Sequence, residues 1–529
     1  AFISVGNGTT NTTIGGTGGT APLLNYYTNF HTVIIKGDLT NNGTVRFTNL
    51  DYPIYNAFPP LASTGTSGAA SVYFQGNNNN TITCNGITDF YNLIVDKGFD
   101  QTYKLTINST SNANFKLFGA NTLAYDVGGT ASNPDLRKAL WIRSGTLILK
   151  GSVIIPSLSE GTAANANYYI PSNAALRIDG SDVIVLSTAD DYGEVNQAYG
   201  VSGGIGLVNG VGLGGNSGLY VYGKLQIDNG YLSARESEGI VTSNVASGQV
   251  IINGGTVDAK QFHSLTGSSA SYFQTGGTLI LRGRFQRNIA YSSIADLKSN
   301  PSINTSRVTN GINTAYGSFN LDNTSNIFSM SGGTIRIYDV TDATTQEAFD
   351  VNSDLANINV TGGTLDIRPT SGTDLADANY NINSTSVLGN LTINRASGSS
   401  LVGLETNPLS ILNNFTITAG DFDANNLNLT IGGNFSVANG TSYTSGTNTT
   451  TFNGSESQTF TINTVAAFSL NNFTIRKAAG TSVSFAGTQN TINVANEFRL
   501  ELATLNDNGN TINVFCLLYT SDAADEEDS

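Results

Sequence analysis

Residues 275–283 read TGGTLILRG, and closely related segments occur at four other places in the chain. These segments are RSGTLILKG (143–151), NGGTVDAKQ (253–261), SGGTIRIYD (331–339) and TGGTLDIRP (361–369). In chain order, the last four of the five threonines are separated by 22, 56 and 30 residues. Periods of this size are typical of a solenoid, in which each repeat forms one coil. The interval of 56 residues corresponds to two coils, or to one coil plus an insertion.

The residues after each threonine alternate between apolar and other side chains. Successive side chains of a strand point to opposite faces, so the first and third residues after threonine are expected to enter a core. These inward pairs are Leu147/Leu149, Val257/Ala259, Leu279/Leu281, Ile335/Ile337 and Leu365/Ile367. The glycines allow the positive φ angles of a corner. The pattern therefore predicts an all-β fold, a single-stranded right-handed parallel β-helix (β-solenoid).

A second type of repeat is found towards both ends of the chain. Residues 72–97 (VYFQGNNNNTITCNGITDFYNLIVDK) resemble residues 451–477 (TFNGSESQTFTINTVAAFSLNNFTIRK), and Phe74 matches Phe452. Residues 380–395 repeat the latter half of this unit. The same unit at both ends predicts one continuous solenoid rather than two unrelated domains. Asparagines at the corners are expected to stack into amide ladders.

Composition divides the chain into four segments. Residues 1–60, with a Gly/Thr-rich start and a cluster of three prolines (Pro53, Pro59 and Pro60), are predicted to form an N-terminal cap. Residues 61–385 carry the Gly-Gly-Thr corner repeats with an insertion near 284–316, and residues 386–515 continue the solenoid. Residues 516–529 (CLLYTSDAADEEDS) resemble the translation of a sequencing adapter, and we interpret them as an artificial tail. The natural protein is then expected to continue beyond these repeats.

The second repeat also carries a family resemblance. Its pattern, xxFNGxxxQTxxI followed by FxNLTIxK, resembles the Asn/Thr/Gly-rich repeats of large proteins secreted by Bacteroidota. The opening SVGNGTTNTT (4–13) resembles the mature starts of that group. The resemblance implies export through the type IX system, a place at the cell surface and an adhesin-like role. No C-terminal sorting domain is seen, which a truncated reading frame would explain.

Charge and cysteine content exclude several classes of function. Charged residues make up 12% of the chain, and the net charge is −15 without any basic tract. Nucleic acid is therefore not expected as a partner, because phosphate binding needs clustered Lys or Arg. No run of eighteen or more apolar residues occurs, so no membrane span is predicted. Two cysteines, Cys84 and Cys516, do not make a disulfide framework.

Few residues indicate catalysis or metal binding. His31 and His263 have no Cys or His at ligand spacing, so a zinc site is not expected. The cluster of Asp190, Asp191 and Glu194 lacks the alternating ligand spacing of a calcium loop. We predict no catalytic residue, no cofactor and no metal ligand.

The fourth residue after each threonine is predicted to point outward and is mostly basic. These residues are Lys150, Lys260, Arg282, Tyr338 and Arg368. One interpretation is a track that contacts an anionic glycan. The alternative is a solvated face whose cations pair with neighbouring acids, at about 0–1 kcal/mol for each exposed pair.

Two functions of different classes fit the sequence. The first is a secreted, structural or adhesin-like stalk at the cell surface, with polysaccharide or other surface molecules as partners. The second is a carbohydrate-active β-helix enzyme, a lyase or glycoside hydrolase, or a glycan-binding module. An enzyme of this kind needs a cleft with two or more carboxylates within about 5–10 Å of each other. A third hypothesis is self-association through the end coils. The missing catalytic motifs favour a non-enzymatic role.

Overall fold

The structure is a computed structural model that describes residues 3–4, 12–14, 26–47, 67–90, 92–117, 140–155, 168–186, 218–234, 238–242, 248–265, 267, 269–287, 303–307, 312–342, 347–368, 380–395 and 401–521. These residues form strands and one 3-10 helix (Leu355–Asn357), and no α-helix occurs among them. The chain divides into two compact units. Unit 1 is Ala1–Lys260, Gln286–Asn304 and Asn310–Asn313, and unit 2 is Gln261–Phe285, Thr305–Thr309 and Thr314–Ser529.

The strands are short, and most have three to six residues. In chain order they are β1 (Ile3–Ser4), β2 (Thr12–Ile14), β3 (Tyr26–Ile35), β4 (Leu39–Asn41), β5 (Thr44–Arg46), β6 (Ser67–Gln75), β7 (Asn80–Cys84), β8 (Ile87–Phe90), β9 (Asn92–Asp96), β10 (Lys104–Ser109), β11 (Phe115–Leu117), β12 (Leu140–Gly151), β13 (Ile154–Ile155), β14 (Tyr168–Ile170), β15 (Ala174–Ile178), β16 (Ile184–Leu186), β17 (Gly218–Val221), β18 (Lys224–Ile227), β19 (Tyr231–Ala234), β20 (Gly239–Thr242), β21 (Gln249–Ile252), β22 (Thr256–Ala259), β23 (Phe262–Ser264), β24 (Ser271–Gln274), β25 (Thr278–Leu281), β26 (Phe285–Arg287), β27 (Ile303–Arg307), β28 (Phe319–Leu321), β29 (Ile327–Met330), β30 (Thr334–Ile337), β31 (Phe349–Val351), β32 (Ile358–Val360), β33 (Thr364–Ile367), β34 (Tyr380–Ser384), β35 (Asn390–Asn394), β36 (Leu401–Leu404), β37 (Leu409–Ile411), β38 (Phe415–Ala419), β39 (Asp421–Asp423), β40 (Leu429–Ile431), β41 (Phe435–Val437), β42 (Ser442–Thr444), β43 (Thr449–Phe452), β44 (Gln458–Ile462), β45 (Phe468–Arg476), β46 (Ser482–Gly487), β47 (Thr491–Glu501), β48 (Thr504–Asn506), β49 (Thr511–Val514) and β50 (Leu517–Ser521).

Unit 1 is a parallel β-helix. Strands β12, β15, β18 and β21 pair in parallel, one after the other. Strands β13, β16, β19 and β22 form a second parallel row, and β14, β17 and β20 form a third. Each of these strands pairs with the strand three places further along the chain, which is the connectivity of a coil with three faces. Strand β2 is different, because it runs antiparallel to β3.

Unit 2 has the same architecture. Its longest row is β25, β30, β33, β35, β38, β41, β44, β46 and β48, and a second row runs from β23 through β28, β31, β34, β36 and β39 to β42. A third face holds β24, β29 and β32, and later β37, β40, β43, β45, β47 and β49. The predicted all-β parallel β-helix is therefore confirmed.

The predicted inward residues form the core. In unit 2 the register places Thr278, Thr334 and Thr364 beside one another, and the residues that follow them pair in the same way. All ten predicted inward residues are at most 2% exposed. Burying a side chain the size of Leu or Ile stabilises the fold by about 1.5–3 kcal/mol, so these residues are a main source of stability.

Thr146 shares the predicted inward/outward phase but lies in a different row from the other four threonines. Thr146 lies on β12 and pairs with Ala175 of β15, whereas Thr256 pairs with Tyr231 of β19, in a different row. A Gly-Thr corner followed by an alternating strand fits any face of a coil. The local motif therefore fixes which residues are inward but does not fix the face.

Aromatic residues stack from coil to coil inside unit 2. The rings of Phe415, Phe435 and Phe460 are nearly parallel, with centroids 4.8 and 4.9 Å apart. In the alignment of residues 72–97 with residues 451–477, Phe460 corresponds to Ile82. Each such ring pair adds about 0.5–1.5 kcal/mol beyond its area burial.

Asparagines stack at one corner of unit 2, although the bonds there run from backbone N–H groups to side-chain oxygens and not between side-chain amides. The backbone N–H of Asn414 donates to Asn390 Oδ1 over 3.2 Å, and the N–H of Asn434 donates to Asn414 Oδ1 over 2.9 Å. The N–H of Thr459 continues the ladder on Asn434 Oδ1 at 2.8 Å. Backbone groups at the corner are thus satisfied by the preceding coil.

Several sequence predictions lie outside the described residues. They include the three prolines of the N-terminal cap, the acidic cluster Asp190, Asp191 and Glu194, and most of the insertion near 284–316. Residues Leu517–Ser521 of the proposed tail form β50 and pair with β47. The segment boundaries, the nature of the tail and self-association through end coils stay predictions. Among the described residues, no helix is long and apolar enough to cross a bilayer.

Substituting Gly454 tests how closely the coils of unit 2 stack. A Cβ at Gly454 would lie 1.8 Å from the carbonyl oxygen of Gly432 in the preceding coil. Gly454→Ala is therefore expected to lower the free energy of unfolding by about 1–3 kcal/mol, measured by urea denaturation. Gly403→Ala is the control, because its nearest contacts would be 3.5 and 3.7 Å away. Equal stability of the two variants would contradict the packing argument.

Candidate functional site

The predicted basic column is not a continuous exposed track. Lys260 is 1% exposed, Arg282 0% and Tyr338 6%, so the predicted outward orientation is wrong for these three residues. Each follows the last residue of its strand, where the chain turns a corner. Strand alternation no longer fixes the side-chain direction there. Only Lys150 and Arg368 keep substantial exposure.

Both exposed members of the column are paired with acids. Lys150 Nζ lies 3.1 Å from Asp179 Oδ2 in unit 1. In unit 2, Arg368 Nη2 lies 2.6 Å from Asp366 Oδ2, which also contacts Arg336 Nε at 2.9 Å. These ion pairs correspond to the second interpretation of the basic column, a solvated face whose cations pair with neighbouring acids. Glycan contact at Lys150 and Arg368 stays a prediction.

The buried arginines of unit 2 contact residues of neighbouring coils at a corner of the solenoid. Arg284 Nε lies 3.2 Å from Asp339 Oδ2, and the Tyr380 hydroxyl donates to Asp339 Oδ1 over 2.8 Å. The guanidinium of Arg395 lies 3.4 Å from the centre of the Tyr380 ring and donates to the backbone carbonyl of Tyr338. Buried charges need such partners, and these basic residues therefore hold the coils together.

Unit 1 presents a cluster of three tyrosines, which we call the tyrosine platform. Tyr169 of β14 pairs with Tyr220 of β17, and Tyr222 lies two residues further on the same face. The ring centroids of Tyr169 lie 5.0 Å from Tyr220 and 5.5 Å from Tyr222. Tyr169 is 39% exposed, and the other two are partly exposed. Three rings thus pack against one another at the surface.

A buried carboxyl adjoins the tyrosine platform. The Tyr220 hydroxyl donates to Glu238 Oε2 over 2.5 Å, and Glu238 is 3% exposed. Burial raises the pKa of Glu238 despite hydrogen bonds from Tyr220 and Asn313. Burial, and then the bond to Glu238, raises the pKa of the Tyr220 hydroxyl well above its usual value. The platform therefore offers aromatic rings and one hydroxyl, that of Tyr220, held by a buried carboxyl.

Unit 2 carries an acidic cluster on the row that contains β28, β31, β34 and β36. Asp350 accepts hydrogen bonds from three asparagine side chains, at 2.8 Å from Asn320, 2.6 Å from Asn352 and 3.2 Å from Asn383. Burial, together with the charges of nearby acids, raises the pKa of Asp350 to about 8. Asp350 is therefore largely protonated at neutral pH.

Two further carboxyls of the cluster contact each other. Glu347 and Glu405 are hydrogen-bonded through their side chains, and burial raises the pKa of Glu347. The neighbouring carboxyl of Glu405 further disfavours ionisation of Glu347. Glycoside hydrolases instead hold their carboxyls roughly 5–10 Å apart, with substrate or water between them. The contact between Glu347 and Glu405 does not match that geometry.

The histidines and cysteines singled out in the sequence do not form a catalytic or metal-binding group in the described residues. His263 is fully buried, stacks on Tyr316 at 4.2 Å, and has its pKa lowered to about 3 by burial. The side chain of His31 is outside the described part of the structure. Cys84 is buried and Cys516 is exposed. Within the described ranges, no group of three or more His, Cys, Asp or Glu could hold a metal ion.

An open depression of about 440 Å³ lies in unit 1. It is lined by Asp100, Gln101, Thr102 and Ser172. Asp100 is the sole carboxylate of this lining, so the depression does not provide the pair of acids that glycoside hydrolysis requires.

Sequence reasoning missed the tyrosine platform and the acidic cluster. The segment LYVYG places Tyr220 and Tyr222 two residues apart, which puts both on one strand face. That signal was available in the sequence. The pairing of Tyr169 with Tyr220 was not, because 51 residues separate them and only the coil register brings them together.

The pH dependence of stability tests the burial of Asp350. Its usual pKa is 3.8 and its folded pKa is about 8, so the folded state holds a proton that the unfolded chain releases. The free energy of unfolding is therefore expected to fall as pH rises through this window. Asp350→Asn removes this titration and should make the slope shallower by up to about 1.4 kcal/mol per pH unit, measured by urea denaturation across the window.

The control for this measurement is Asp100→Asn. Asp100 is fully exposed, and hydrogen bonds from Thr102 lower its pKa. Its titration therefore lies below the window, and the slope between about pH 5 and pH 8 should not change. An unchanged slope in Asp350→Asn would show that this carboxyl is ionised in the folded protein.

Comparison of the chain with protein-family models, curated proteins and solved structures gave no match.

Proposed function

We propose that this chain is an extracellular, adhesin-like structural protein whose β-solenoid presents a glycan-binding surface. The tyrosine platform is the observation that carries the proposal. Tyrosine rings combine a large apolar face with a polar hydroxyl, so they favour ligands that are apolar on one side and hydroxylated at the edge. A pyranose ring has this character. The resemblance of the repeats to surface proteins of Bacteroidota supports the same role.

The ligand is a neutral polysaccharide rather than an anionic one. Glu238 lies directly behind Tyr220, and the whole chain carries a net charge of −15. The exposed cations Lys150 and Arg368, which would attract an anionic chain, are already paired with Asp179 and Asp366. An anionic glycan would have to compete with these acids.

Removing one ring of the platform tests this function. Tyr169→Ala is expected to weaken binding to neutral polysaccharides by roughly 2- to 10-fold, the value of one ring stack, in affinity gel electrophoresis. Phe99→Ala is the matched control, because Phe99 is a 91% exposed aromatic of unit 1 outside the platform. Binding restricted to pectin, alginate or glycosaminoglycans and unaffected by Tyr169→Ala would overturn the proposal.

A carbohydrate-active enzyme is the second candidate, and the acidic cluster of unit 2 is the observation that favours it. Raised carboxyl pKa values are typical of general acids in glycoside hydrolysis. If the cluster is catalytic, Glu347→Gln should abolish release of reducing ends from a polysaccharide while Asp100→Asn retains it. Chain cleavage by the wild type would favour the enzyme. No cleavage across neutral and anionic polysaccharides would count against it.

A further inference from the structure

A buried lysine of unit 1 contacts the side chain of an asparagine. Lys97 directly follows β9 and is 0% exposed, and Asn80 is the first residue of β7 and 7% exposed. Lys97 Nζ donates to the backbone carbonyl of Gln75 over 3.1 Å and contacts Asn80 Oδ1. Burial lowers the pKa of the Lys97 amine, which favours its neutral, nucleophilic form.

A carboxylate contacts the other end of the same amide. Asn80 Nδ2 donates to Asp38 Oδ1 over 3.3 Å, and the backbone N–H of Thr81 donates to the same oxygen over 2.9 Å. The hydrogen bond from Thr81 lowers the pKa of Asp38 and keeps it a proton acceptor. A lysine donor on one side and a carboxylate on the other fix which way the amide points. The amide group therefore lies between an amine and a carboxylate that can accept and return a proton.

We propose that Lys97 and Asn80 join in an intramolecular isopeptide bond. The neutral amine of Lys97 attacks Asn80 Cγ, and the new Nζ–Cγ bond forms. The Cγ–Nδ2 bond breaks, and Asp38 passes the proton lost by Nζ to Nδ2, which leaves as ammonia. One amine and one primary amide give one secondary amide and ammonia, so no oxidant, cofactor or further reactant is needed.

The second copy of the repeat provides an internal comparison. Lys477 corresponds to Lys97 and Gln458 to Asn80, and Lys477 Nζ donates to Gln458 Oε1 over 2.6 Å. The amide nitrogen of Gln458, however, donates to the backbone carbonyls of Ile431 and Gly433, at 2.9 and 2.6 Å. A backbone carbonyl does not carry a proton to a leaving group. Lys477 and Gln458 therefore remain a hydrogen-bonded pair.

Mass spectrometry of the purified protein tests the bond. The intact mass is expected to fall short of the sequence mass by one ammonia. Residues 47–96 contain no Lys or Arg, and the next basic residue after Lys97 is Lys104. An acylated Lys97 resists trypsin, so the digest should contain a 47–104 peptide that lacks one ammonia. The full-mass peptides 47–97 and 98–104 from folded wild-type protein would overturn the proposal.

Succinimide formation at an Asn-Gly step also releases ammonia, and the digest separates the two reactions. A succinimide at Asn85–Gly86 leaves Lys97 free, so trypsin would give a light 47–97 peptide instead. That result would also overturn the proposal.

Variants separate the chemistry from folding. Asp38 is exposed, so Asp38→Asn should fold and should slow bond formation by about 100-fold or more, as expected for loss of a general acid–base group. Lys97→Arg should restore the sequence mass, whereas Lys477→Arg should keep the ammonia loss. Full bond formation in Asp38→Asn would contradict the role of Asp38. Loss of the bond in Lys477→Arg would contradict the assignment to Lys97.

Discussion

The parallel hydrogen-bond ladder between successive coils is the constraint on which the rest of the structure depends. Parallel strands lie about 4.8 Å apart, so a residue has the equivalent residue of the next coil as its nearest neighbour outside its own strand. Thr278, Thr334 and Thr364 are the simplest case, with their apolar followers stacked beside them. The close approach of Gly454 to the Gly432 carbonyl shows how little space the ladder leaves at a corner.

Polar groups at the corners of the coils and inside the ladder also find partners from one coil to the next. Asn390, Asn414 and Asn434 do this with their side-chain oxygens. Lys97 and Lys477 do it with buried amines that reach a backbone carbonyl and a side-chain amide. An unsatisfied buried polar group costs about 1–3 kcal/mol, so the contacts of the two buried lysines are needed for a uniform stack. The composition, poor in charge and rich in Asn and Thr, follows from this requirement.

The sequence predicted the residues whose environment is set within one strand. All ten inward positions after the threonines are buried, because alternation along a strand is a local property. The predicted outward orientation was wrong for Lys260 and Arg282, since the fourth residue after the threonine lies beyond the end of the strand. The sequence also did not determine which face of the coil holds Thr146, because the motif is the same on every face. Asp350 was missed because the groups that surround it come from other coils, which only the register brings together.

The same stacking rule connects the core to the proposed binding surface. Inside unit 2, register places Phe415, Phe435 and Phe460 face to face. On the outside of unit 1, register places Tyr169 beside Tyr220. A single exposed aromatic such as Phe99 offers one ring, whereas two coils in register offer a row whose spacing the backbone sets. A solenoid therefore builds an extended binding surface by repeating one residue type on one face. Its ligand would be a polymer with its own repeat, because only a polymer can contact several coils at once.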